Sequence, residues 1–177
     1  LQSQYPEEYE KAVPSDLVNG ALELAQKKLL DHLIKELGKA TRMDPISGHP
    51  MGGLLGVIRK GFKSSQVGRP TATFGPLLAF PPANPQLSSV VEQAAAVKLR
   101  VLRQVRFDTQ SSDEIDIVLT ANGLPIVTME VKTDNTQTVQ HAITQYKKDR
   151  VPGPTRPLLE PGRAFVHFAV SNDLVYM

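Results

Sequence analysis

The 177-residue sequence contains no cysteine. That excludes a disulfide framework and a thiolate-held zinc, so any bound metal must rest on oxygen or imidazole ligands. The sequence also lacks an apolar run long enough to cross a bilayer, and it lacks the charged, apolar and small-residue succession of a secretion signal at its start. The expectation is a soluble chain with a cytoplasmic home and no membrane partner. Low-complexity tracts are missing too, and the formal net charge is only +2, compatible with phosphate contacts but far from a strongly basic balance. With 41% hydrophobic residues, the length matches one compact domain, read here as a helical and loop-rich part over 1–99 and a core over 100–177.

Within the first part, Leu17, Ala21, Leu24, Ala25, Leu29 and Leu33 recur at the spacing of one helical face, predicting a long helix from Ser15 to about Lys39 with Ser15 as its N-cap. From Gly38 to Gln86 glycine and proline dominate, predicting surface loops around a short helix at Leu54 to Phe62. Ser88 to Lys98 reads as helix. Beyond it, Val101 to Phe107, Ile115 to Thr120 and Pro125 to Val131 read as strands, Thr138 to Arg150 as helix, and Ala164 to Val170 as a last strand. The predicted class is α/β, a mixed four-stranded sheet flanked by helices.

Asn122-Gly123 between two β-rich runs is a strong hairpin signal. Alternation along the second strand places Glu130 and Lys132 on one face, and Asp116 alternates against Ile115 and Ile117 on the first. Whether Asp116 meets Glu130 depends on the turn. A two-residue Asn122-Gly123 loop pairs Asp116 with Met129 and separates the carboxylates across the sheet. A three-residue loop pairing Thr120 with Leu124, or an equivalent bulge, brings them to the same face, and that geometry is expected. Two such carboxylates suit a hard divalent cation that keeps several waters. Lys132 beside them has three available roles: orienting a water, acting on its proton, or stabilising charge on a phosphate. Glu-x-Lys by itself arises by chance roughly once in a few hundred residues. The bland alternative is a solvated Glu and Lys on an exposed strand face.

The run Asp116-Ile-Val-Leu-Thr-Ala-Asn-Gly-Leu-Pro-Ile-Val-Thr-Met-Glu130-Val-Lys132-Thr-Asp resembles the nuclease core of type I restriction subunits, which carry an Ile-Asp-Leu-Val-Leu strand, an Asn-Gly-x-Pro turn and a Glu-Leu-Lys end. The likeness extends to Val101–Arg106, Ala142–Pro152 and Gly162–Ser171. It implies the PD-(D/E)xK nuclease fold, with Asp116, Glu130 and Lys132 on the three motif positions and Gln145 on the glutamine of a Gln-x-x-x-Tyr helix motif. Four residues after Gln145 stands Asp149, whereas Tyr146 is adjacent to the glutamine and reads as core. The resemblance further implies Mg²⁺, replaceable by Mn²⁺, held by Asp116, Glu130 and the carbonyl of Val131. It implies non-specific cleavage of double-stranded DNA after translocation by a parent complex with specificity and methyltransferase subunits. On the same reading the chain is a fragment of a longer subunit whose ATP site lies elsewhere. The alternative function is a non-catalytic module, keeping the nuclease fold, that docks DNA or partner subunits.

Gly56-Val-Ile-Arg-Lys-Gly61-Phe-Lys63-Ser64 nearly spells a phosphate-binding loop, but Phe62 intrudes and no buried strand precedes it, so ATP binding by these residues is rejected. His32, His49, His141 and His167 show no ligand spacing, and His167 in an apolar strand reads as a hydrogen-bonded core residue. Two basic clusters are candidates for phosphate contacts: Arg59, Lys60, Lys63 and Arg69, which read first as solvated surface, and Lys147, Lys148 and Arg150 beside the proposed site.

Overall fold

The computed structural model describes residues 1–133 and 138–177, so Asp134, the last residue of the run quoted above, lies outside the described residues. The chain forms two compact units, Leu1–Val97 and Lys98–Met177. No helix among the described residues is long and apolar enough to cross a membrane.

The first unit contains α1 (Pro6–Ala12), α2 (Asn19–Leu37), a hairpin of β1 (Arg42–Met43) with β2 (Pro50–Met51), α3 (Gly53–Lys60), a hairpin of β3 (Phe62–Ser64) with β4 (Ala72–Phe74), and α4 (Ser88–Ala95). The buried stripe of α2 is Ala25, Leu29 and Leu33, one residue per turn, while Leu24 faces solvent. Phe62 stacks on its cross-strand partner Phe74 with ring centroids 4.9 Å apart, and Tyr5 meets Phe74 edge-on at 6.3 Å.

Three expectations for this unit change. The long helix expected from Ser15 is α2 and begins later, at Asn19, because Pro14 and the Glu10 carboxylate, which accepts both the N–H and the hydroxyl of Ser15, hold the chain in a connection after a separate helix α1. Ser15 is thereby consumed in the connection and does not cap α2, which starts after Val18. The region read as loops around α3 contains two small hairpins, whose strands of two and three residues are too short to stand out as a period in the sequence. The run resembling a phosphate-binding loop is helical over Gly56–Lys60, so its amides are not available as an anion cradle.

The second unit is a five-stranded sheet in the order β5 (Leu99–Arg106), β6 (Glu114–Ala121), β7 (Leu124–Val131), β8 (Val166–Val170), β9 (Val175–Tyr176). All neighbours are antiparallel except β7 and β8. That parallel pair needs a crossover, which includes α5 (Val139–Thr144), a π turn (Gln145–Asp149) and a 3-10 turn (Pro157–Leu159). The mixed α/β class holds, with one strand more than expected; β9 is two residues long and carries no period to read. Phe107, Ile115, Val118 and Leu159 form one buried cluster, and Val139, Ala142 and Ala169 another that fastens α5 to β8.

The β6–β7 turn is the two-residue Asn122-Gly123, both in the left-handed region at φ 50° and 83°. This is the primed geometry that matches strand twist, and it explains why this dipeptide is used. Since a Cβ at Gly123 would meet nothing within 4 Å, only backbone strain opposes substitution there. Gly123→Ala is therefore expected to cost about 1 kcal/mol and Gly123→Asn less. Urea unfolding monitored on both variants checks the ranking, and an alanine variant as stable as the parent would contradict it.

Candidate metal centre

Starting from the turn, Ala121 pairs with Leu124 and Thr120 with Pro125, but Leu119 then pairs with Val127, so Ile126 is an extra residue in β7. The expected three-residue loop is therefore replaced by a two-residue loop followed by a bulge. Two causes sit together there: Asn-Gly suits the shorter turn, and Pro125 has no N–H to continue the ladder. Beyond the bulge Ile117 faces Met129, a register that runs toward Asp116 opposite Glu130. The shared face is reached by slipping the register one residue the other way. Asp116 Oδ2 accepts the N–H of Val131 at 2.7 Å, which lays its carboxylate along the β7 backbone next to Glu130.

Glu130 is 1% exposed, an unusual position for a carboxylate. Its Oε1 accepts from Arg150 Nε at 3.0 Å, and its Oε2 lies 3.6 Å from Lys132 Nζ. Burial pushes the Glu130 pKa above its ordinary value; Arg150 opposes the shift, the Asp116 charge adds to it, and Lys132 opposes it. Arg150 is itself held from three sides. Besides Glu130, it donates to the Glu114 carbonyl at 3.1 Å, and its guanidinium sits 4.6 Å from the centre of the Phe107 ring.

The segment after α5 determines what else reaches this face. Gln145–Asp149 forms a π turn, closed by the Arg150 N–H donating to the Gln145 carbonyl at 2.8 Å. Gln145 and Arg150 consequently line the same polar cleft of about 510 Å³, together with Asp113, Lys148, Asp149 and Arg156. Gln145 Oε1 is buried and has no hydrogen-bond partner among the described residues. A buried acceptor left bare costs about 1–3 kcal/mol unless a donor arrives, so this oxygen awaits a water or a ligand.

Tyr146 points elsewhere. Its hydroxyl lies 2.8 Å from Thr128 Oγ1, which lies 2.6 Å from His167 Nδ1, and the two rings are 5.4 Å apart. Burial raises the tyrosine pKa and lowers that of His167, keeping both neutral at physiological pH. Both residues are thus part-buried and hydrogen-bonded to Thr128. Of the basic group on this helix, Lys147 and Lys148 are exposed, but Arg150 is turned inward onto Glu130. Its place beside a carboxylate 20 residues earlier was not legible from spacing.

Among the described residues no three His, Cys, Asp or Glu stand together as a ready metal cluster. The donor set is two carboxylates, and Mg²⁺ is commonly bound through one or two carboxylates with waters completing its shell. The Asp116 and Glu130 pair, with the bare Gln145 oxygen on the same segment as Arg150, fits such an ion.

Because the folded chain holds the Glu130 proton more tightly than the unfolded chain, ionising this residue opposes folding. Its contribution is favourable below the ordinary glutamate pKa and is lost as pH rises through the folded one. Glu130→Gln is expected to flatten that decline; unfolding midpoints measured at acid and neutral pH test this, and an unchanged slope would exclude Glu130 as its origin. Arg150→Met, which strands the carboxylate, is expected to cost about 3 kcal/mol at neutral pH.

No curated protein and no solved structure matches the chain. Residues 91–176, which include all five strands of the second unit with Asp116, Glu130, Lys132 and Gln145, match the family described as the Type I restriction enzyme R protein N terminus. Over these residues, just under half of its length, the chain is similar to the type I restriction enzyme R protein N-terminal family.

Proposed function

We propose that the Lys98–Met177 unit is a divalent-cation-dependent nuclease centre of the PD-(D/E)xK kind, hydrolysing DNA phosphodiester bonds. The observation that carries this reading is the bulge at Ile126, which brings Asp116 beside Glu130, with Lys132 just past the end of the strand and close to the Glu130 carboxylate. The match of residues 91–176 to the R protein N-terminal family supports it, since a restriction subunit is the setting in which DNA cleavage is needed.

In this reading Asp116, Glu130 and the carbonyl of Val131 hold Mg²⁺ or Mn²⁺. The cation, when bound, supplies Lewis-acid polarisation of the phosphate and lowers the pKa of a bound water. The chain's own groups supply the rest. Arg150 holds the Glu130 carboxylate in one orientation, and the Val131 N–H does the same for Asp116. Lys132, with its side chain 12% exposed, places a cation where charge develops on a phosphate or orients the attacking water. Gln145 Oε1 accepts from that water. Exposed Lys147 and Lys148 contact phosphates without reading sequence, leaving recognition to the specificity and methyltransferase subunits of a parent complex and cleavage to follow translocation.

The test is calorimetric titration of Mg²⁺ or Mn²⁺ into the chain and into Asp116→Ala and Glu130→Ala. Binding by the parent that both substitutions abolish is expected. No binding, or binding indifferent to both, would leave the alternative of a DNA-docking or subunit-assembly module. Lys132→Ala is expected to retain cation binding while plasmid nicking falls by roughly 100-fold or more. Nicking at the parent rate would remove Lys132 from the chemistry.

A further inference from the structure

We propose that one face of the Leu1–Val97 unit, made by the C-terminal end of α2, the β1–β2 hairpin, α3 and β3, is a docking surface for the phosphate backbone of duplex DNA. The reading rests on the DNA substrate proposed for the second unit. Residues 1–90 of this unit lie outside the family match.

Two adjoining clefts define the face. The larger, about 820 Å³, is bordered by Lys39, Arg42 and Lys60; the smaller, about 200 Å³, by Lys35, Lys39 and Lys63; Glu36 and Lys39 belong to both. The walls of the larger cleft are set by close backbone approach. A Cβ on Gly53 would lie 2.6 Å from Thr41 Oγ1, and one on Gly56 would lie 2.8 Å from the Met51 backbone. Only glycine at these two places lets α3 press against the hairpin, so the cationic side chains are carried on a packed scaffold and not on a free loop.

The charges on the face are unbalanced. Five cations, Lys35, Lys39, Arg42, Lys60 and Lys63, meet two carboxylates, and both acids are already engaged. Glu36 pairs with Lys39, and Asp44 accepts the amides of Ile46 and Ser47, which hold its pKa low. Lys35, Arg42, Lys60 and Lys63 are exposed and make no ion pair among the described residues. The unit as a whole carries ten Lys and Arg against nine Asp and Glu, so a nearly neutral total conceals this segregation. Arg69, grouped by sequence with Arg59, Lys60 and Lys63, is excluded from the face because its guanidinium donates to the Ala12 carbonyl at 2.8 Å.

The chemistry selects the class of ligand. Cations spread over two open clefts suit a repeating polyanion better than one small anion. The residues lining them include no Phe, Tyr or Trp, whereas single strands and free nucleotides are held largely by stacking bases on aromatic rings. Backbone contact to a duplex needs no such rings.

The test measures fluorescence anisotropy of a short DNA duplex with the full chain, in EDTA so that nothing is cut, for the parent and for a variant carrying Lys35→Glu, Arg42→Glu, Lys60→Glu and Lys63→Glu. A second variant with Gln at the same positions guards against misfolding by charge reversal. Affinity is expected to fall by roughly tenfold or more at about 0.1 M salt, and the slope of log affinity against log salt to shrink by about 0.9 for each phosphate no longer neutralised. Both variants should bind Mg²⁺ calorimetrically as the parent does, which separates this outcome from failure of the metal centre. Duplex binding that is undetectable in the parent, or unchanged in both variants, overturns the proposal. Displacement of the duplex by poly-glutamate as readily as by unlabelled duplex also overturns it, in favour of an acidic protein partner.

Discussion

A single-residue slip between β6 and β7 organises the whole candidate site. Strands paired without interruption from the Asn122-Gly123 turn would set Asp116 against Met129 and send the two carboxylates to opposite faces. The extra residue at Ile126 reverses that, and it is supported from both directions. Pro125, lacking an N–H, breaks the ladder on the turn side, and the Ile126 carbonyl accepts the Phe165 N–H at 2.9 Å at the entry to β8. Register, turn chemistry and the parallel partner strand therefore act on the same position.

Once Asp116 and Glu130 share a face, burial determines the rest. A carboxylate with 1% exposure is tolerable only with compensation, and the chain supplies Arg150 and Lys132 around it. Arg150 transmits the constraint outward through Phe107 and the Glu114 carbonyl, tying the segment after α5 back to β5 and β6. Arg156 repeats the arrangement nearby, donating to Asp108 at 2.8 Å and to the carbonyls of Asp149 and Val151. The loop leaving the π turn is thus fastened by two guanidiniums.

Much of this was legible in the sequence because long elements have periods. The three core strands, α5 and the hairpin at Asn122-Gly123 follow from alternation and turn chemistry, and so does the shared face of Glu130 and Lys132. The requirement that something shift the β6–β7 register could be stated in advance, but not its direction, since that depends on Pro125 acting with the distant strand β8. Elements of two or three residues, such as β1 to β4 and β9, have no period to detect. Arg150 on Glu130, and Lys35 and Arg42 beside the already visible Lys60 and Lys63, were hidden for a different reason: their proximity is produced by folding and not by spacing.

The π turn at Gln145–Asp149 bears on how this helix should be aligned with others. A pattern written as glutamine plus four presupposes 3.6 residues per turn, under which the residue stacked above Gln145 is Asp149. With a hydrogen bond spanning five residues, Arg150 takes that place. Gapless alignment across this turn compares residues that occupy different sides of the helix, and a side chain doing the same job in two such proteins would be scored as absent from one and unrelated in the other.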